Sequence, residues 1–201
     1  MYKLPKGIRI PNITDISNEF NIEEINKKRS EAKIVEGFTL KEEKNKKWSF
    51  YARINIDIDK FWNLFCQLCN VLFLNQNPRG MVGFKNTQPY VGKELSLSEL
   101  LSIFSDYEYE LLNDGYLEFG IANFRENSFC EVFVNNFKII YVWGSKLEEF
   151  ILLMDQFNLQ KNDCLQFIND FPVISEALLE DGKSHYLEVI DDIKSRFVEN
   201  R

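Results

Sequence analysis

The chain has 201 residues, 45% hydrophobic and 27% charged, a balance that suits one soluble globular body able to form a core without disulfides or metals, and that excludes disorder and fibres. Eighteen Phe, eight Tyr and three Trp supply an aromatic core, while five Pro and nine Gly leave little material for long structureless segments. The 31 acidic against 24 basic side chains give a net charge of −7, which argues against nucleic acid and anionic membrane surfaces as partners and favours a basic protein.

Residues 1–32 are polar and mixed, and are expected to be a loosely packed extension carrying a helix over 22–32 with Glu23 and Glu24 at its positive end. The opening residues have no apolar core or small-residue cleavage site, so no secretory signal is expected. A strand over 34–40 and a charged loop over 41–47 precede a second strand over 48–59, where Ile54, Ile56 and Ile58 alternate with Asn55, Asp57 and Asp59. Asp59 then caps a helix over 60–73, whose narrow polar stripe of Asn63, Gln67 and Asn70 predicts deep burial. The Gly-, Pro- and Asn-rich stretch 75–92 reads as a long ordered loop.

Ser96 or Ser98 caps a helix through Phe104, continued by a second set of turns to Leu112 and stopped by Asn113-Asp114-Gly115. Strands over 116–123, 129–134 and 137–143 follow as an antiparallel meander, the last two joined by a two-residue turn at Asn135-Asn136. Three helices close the chain: 146–157 capped by Ser145, one from Asn162 or Asp163 to about residue 171, and 184–198. This order predicts an α+β fold, a mostly antiparallel sheet with helices packed on one face, in a single domain over 1–201. The longest apolar runs, 71–74 and 150–154, fall far short of the roughly 18 to 20 residues of a membrane span. With Cys66, Cys69, Cys130 and Cys164 all inside apolar runs and read as reduced and buried, the expected compartment is the cytoplasm.

No catalytic signature stands out. Cys66-Gln67-Leu68-Cys69 lies mid-helix without the helix N-terminus that activates a redox thiol or a second pair for zinc, and reads as packing. His185, the single histidine, has neither a nucleophile elbow nor a cysteine context and reads as a surface or capping residue. Residues 83–93 fail the phosphate-loop pattern at Thr87 and at Glu94. The best enzymatic candidate is Asp57 with Asp59, two carboxylates sharing a strand face that could bind magnesium for phosphoryl transfer with a third, unidentified carboxylate. Its alternative is a polar strand face ending in a helix cap, so no cofactor and no metal are assigned.

Charge placement says more. Between residues 94 and 131 nine acidic side chains face the single base Arg125, a net −8 within a chain of −7, so the remainder carries +1. The acids interleave with aromatics, which combines long-range attraction with rigid contact area. Asp106, Tyr107, Glu108, Tyr109, Glu110, Asp114, Tyr116 and Glu118 are therefore the candidate partner-binding residues, with a solvated helix face as the plain alternative.

Residues 82–92, 111–120 and 133–144 resemble the small acidic immunity proteins of bacterial polymorphic or contact-dependent toxin systems. That resemblance implies a cytoplasmic single-domain protein that binds and blocks one cognate toxin and has no chemistry of its own. The leading expectation is thus an inhibitor presenting its acidic and aromatic surface to a basic toxin such as a nuclease; the metal-dependent enzyme and an accessory domain of a larger assembly are the alternatives.

Overall fold

The structure, a computed structural model, describes residues 3–15, 21–43 and 47–198. Period-two alternation builds its sheet. In β3 (Phe50–Asn55) the side chains of Phe50, Ala52 and Ile54 are fully buried on one face while Tyr51 and Arg53 take the other. The division recurs in β6 (Leu117–Arg125), β7 (Ser128–Val134) and β8 (Ile140–Gly144), which form the expected antiparallel meander. With β2 (Gly37–Glu42), β4 (Arg79–Phe84) and β5 (Tyr90–Glu94) they make one seven-stranded antiparallel sheet in the order β2-β3-β8-β7-β6-β4-β5. A separate two-stranded sheet pairs β1 (Ile8–Arg9) with β9 (Ile174–Ser175).

The buried face of the large sheet is covered by α2 (Ile58–Leu72), α3 (Leu97–Ser105), α4 (Glu108–Asn113), α5 (Leu147–Gln156) and α6 (Tyr186–Val198), whereas α1 (Ile22–Glu31) contributes nothing to that core. This is the α+β arrangement expected, in one domain. The helix α2 lays Phe61, Leu64, Phe65, Leu68, Cys69 and Leu72 on the sheet and exposes Asn63, Gln67 and Asn70, the stripe read from its periodicity. Ser96 caps α3 in a reciprocal box with Glu99. Residues 3–9 are held down: Lys3 reaches the start of α2, and the Gly7 N–H donates to the Asn113 carbonyl at 2.7 Å.

Several expectations fail for identifiable reasons. The strand before α2 ends at Asn55, and Asp57 is the cap: its Oδ1 accepts the Asp59 N–H at 3.0 Å, leaving Asp59 inside the first turn. Residues 75–92 are not a loop but contain β4 and most of β5. Their glycines admit a close neighbour: a Cβ on Gly80 would stand 2.3 Å from Phe197 Cζ, and one on Gly92 2.7 Å from Phe197 Cβ, so glycine is what lets α6 lie on this hairpin. The β7–β8 connection runs over 135–139 rather than two residues, and positive φ falls on Lys138 (58°), not on an Asn. Ser145 does not cap α5; Lys146 takes that position and its Nζ donates to the Val71 carbonyl at the end of α2, 2.7 Å away. Beyond residue 162 no α-helix forms before α6. Leu165 and Phe167 pack with Ile139 in a small cluster on the opposite side of the sheet, and the Asn162 side chain holds a local turn by accepting the Cys164 N–H.

Cys164 is exposed, correcting the expectation of four buried thiols; Cys69 is fully buried, and burial pushes Cys66 up to about 11 and Cys130 up to about 12. A maleimide added to the native protein is therefore expected to label Cys164 rapidly and the other three only on unfolding, as read by mass spectrometry of the quenched digest. The contact between α6 and the hairpin yields a second expectation. Gly80→Ala should destabilise by about 1 to 3 kcal/mol through overpacking, and most of that loss should vanish in a Phe197→Leu background, because leucine lacks the ring atoms the new methyl meets. Urea unfolding of the four proteins measures the coupling directly.

Candidate functional site

Four of the eight candidate residues come together. Because α3 ends at Ser105 and α4 begins at Glu108, the two-residue joint places Asp106 and Glu108 on the rim of a groove whose wall includes Tyr109, Glu110 and Lys183. Glu108 makes no hydrogen bond or ion pair with another described residue, and partial burial alone holds its carboxyl above the usual range. Asp106 is paired with Arg196 at 2.7 Å. Tyr109 is braced rather than free: its hydroxyl donates to Glu180 at 2.5 Å and accepts from Lys6 Nζ at 2.7 Å, while Lys183 Nζ lies 4.0 Å from its ring centre. Glu110 is 8% exposed, with Oε1 3.4 Å from the Ser184 N–H it accepts.

The other four lie apart from this groove. Tyr107 packs into the edge of the core, where burial and then the Asp192 carboxylate push its phenol up. Asp114 is 1% exposed and works as an internal brace, accepting the Tyr116 N–H at 2.7 Å and the Leu178 N–H at 2.8 Å. Tyr116 stacks edge-on against Tyr186 and is covered by Lys85, whose Nζ is 3.7 Å from the ring centre. Glu118 sits on the sheet face away from the helices, accepting the Asn136 N–H, and with Asp114 it flanks the buried Lys138, whose Nζ donates to the Leu117 carbonyl at 2.6 Å. Even so, only Glu94 and Asp106 of the nine acids between 94 and 131 form ion pairs among the described residues, so the segment keeps most of its negative charge.

Asp57 and Asp59 do not share a strand face. The first is bound to backbone N–H groups of Lys3 and Asp59, and the second is ion-paired with Lys3 Nζ at 2.7 Å. Among the described residues no three His, Cys, Asp or Glu side chains are grouped as a metal site, and no helix is long and apolar enough to cross a membrane. His185 stands just before α6, its Nδ1 3.4 Å from the Leu187 N–H.

Sequence reasoning passed over Glu131, which lies inside the acidic segment but on the sheet face opposite the helices, directly across from Trp143 in β8 and Ala122 in β6. It has no hydrogen-bond or ion-pair partner among the described residues, and burial pushes its carboxyl up to about 7. The signal was present in Phe129-Cys130-Glu131-Val132-Phe133, where strand alternation puts Glu131 on the same side as two phenylalanines. Comparison of the chain with family models, with curated proteins and with solved structures finds no match.

Because the folded value for Glu131 lies above the ordinary 4.5, the folded state holds that proton more tightly; stability is full below the ordinary value and falls as the pH climbs through about 7. Glu131→Gln is expected to remove this fall and to stabilise the protein by about 2 kcal/mol near pH 8 while changing little near pH 4. Urea midpoints at the two pH values check it.

Proposed function

We propose that the protein is a non-enzymatic binding module that blocks a basic protein partner, in the manner of an immunity protein, by docking through the groove at the α3–α4 joint. The observation that carries this reading is the convergence of Asp106, Glu108 and Glu110 around Tyr109, with Glu108 unpaired among the described residues. Carboxylates on a rim attract a cationic surface over distances near a Debye length and speed encounter. The braced tyrosine offers contact area whose ordering has already been met by Glu180 and Lys6. A toxin with a cationic active site is the kind of partner such a groove would occlude, and cytoplasmic residence follows from that role.

The test begins with the partner captured by the tagged chain from its source cells. Surface-plasmon kinetics then compare the native protein with an Asp106→Asn, Glu108→Gln double variant at low and high salt. Association is expected to slow on the order of tenfold and to lose much of its salt dependence, with dissociation nearly unchanged, since rim charges act mainly on encounter. An unchanged association rate and salt slope, or a partner without a basic surface, would overturn the reading.

A further inference from the structure

The helices cover one face of the large sheet; the other face is only partly covered. Residues 159–175 cross it at one end, where Leu165 and Phe167 pack against Phe137, Ile139 and Tyr141 and the Arg53 guanidinium lies 3.7 Å from the centre of the Phe167 ring. Past Tyr141 the face continues as a run of aromatic side chains over which none of the described elements is laid. Tyr51 and Trp143 are 4.8 Å apart between ring centres, Trp143 and Phe129 6.4 Å, Phe129 and Trp48 5.7 Å, and Phe129 and Phe124 5.5 Å, with Phe124 itself 50% exposed.

Glu131 stands inside this run. Trp143 is its direct cross-strand neighbour on one side, Phe129 and Phe133 precede and follow it on the same face of β7, and on the other side the neighbour is only Ala122. The carboxylate thus has an aromatic residue as its neighbour on three sides and a small, buried alanine on the fourth. The cations of the same row stand apart: Arg79, two strands away, is paired with Glu94 at 3.5 Å, and Lys41 lies three strands away on the far side of Tyr51 and Trp143. Among the described residues no charged group sets its titration, which burial displaces.

We infer that this face is a docking surface for an arginine side chain of a protein partner, its guanidinium laid on the outer side of the Trp143 and Phe129 rings with Glu131 as its counter-charge. A carboxylate held among rings is unfavourable when ionised and unpaired, and a cation relieves it. Tryptophan and phenylalanine faces attract the same cation, and a flat guanidinium stacks on them while donating two hydrogen bonds to a carboxylate, which an ammonium group does not match. The inference goes beyond the α3–α4 groove and does not depend on it: that site is made by helices and lies across the core from this one.

The test uses the full chain with 15N labelling and a short acetylated, amidated peptide containing two arginines, alongside the same peptide with citrulline, which keeps the shape and removes the charge. The arginine peptide is expected to shift the Trp143 indole N–H and the amides of β6, β7 and β8, and the citrulline peptide is not. Glu131→Gln should weaken binding at least about tenfold, as should Ala122→Lys, which supplies a competing cation within the chain, while Glu149→Gln on the exposed side of α5 should leave it unchanged. Native-like spectra of the Glu131→Gln protein exclude misfolding as the cause of a loss. Shifts confined to the α3–α4 groove, equal response to citrulline, or insensitivity to Glu131 would overturn the proposal. So would concentration-dependent dimerisation that shifts the same β6–β8 residues without peptide, since the face would then belong to a second copy of the chain.

Discussion

Burial of the aromatic side of α2 against the sheet is the constraint from which the remaining geometry follows. Phe61 and Phe65 are fully buried there, and Phe65 meets Phe104 of α3 and Phe119 of β6 at ring-centre distances of 6.3 and 5.1 Å, with Phe104 and Phe119 5.6 Å apart. Each such ring removes a large apolar area from water, about 1.5 to 3 kcal/mol apiece, and the edge-on contacts add to that. The triad joins a helix, a second helix and a central strand, so displacing one member exposes the other two. Phe197 extends the cluster to α6 and, through it, to the β4–β5 hairpin, which is why that hairpin is built from glycines.

Fixing this face as the core dictates where charge goes. α3 and α4 insert Leu100, Phe104, Leu111 and Leu112 toward α2, so their acidic residues are forced to the rim or into specific internal bonds. Glu110 and Asp114 took the second course. Both accept backbone N–H groups from residues 178–184, and they tether the segment that returns to the start of α6. Asp106 and Glu108 took the first, and the groove they rim is the feature on which the proposed docking of a basic protein rests.

The same constraint leaves the reverse face of the sheet with residues that a core would also accept. Tyr51, Phe129, Phe133 and Trp143 are half-buried there, held by cross-strand neighbours rather than by a covering layer. An antiparallel sheet tolerates one wet face, but such faces are ordinarily polar. One that is aromatic and carries, among the described residues, a carboxylate without a hydrogen-bond or ion-pair partner differs from that pattern, and it is on this difference that the proposed arginine site rests.

The residues alone determine much of this. Periodicity in 58–72 and in the three strands of the meander is local information, so α2, its exposed stripe and β6–β8 are legible without a structure, as is a serine cap at 96 or 98, of which the fold uses Ser96. The concentration of acid in 94–131 is likewise plain in the chain. What the chain could not reveal are features decided by a distant neighbour. The glycine-rich hairpin reads as loop until Phe197 is placed over it; Leu165 and Phe167 read as part of a helix until Ile139 and Tyr141 meet them; and Asp114 reads as surface charge until the Leu178 N–H arrives, 64 residues later in the chain. The candidate site divides the same way. Sequence supplies the number and kind of its acids, but whether a carboxylate is a brace, a rim charge or an isolated group among rings depends on which donors the fold brings within about 3 Å, and hydrogen bonding at that range is a tertiary property.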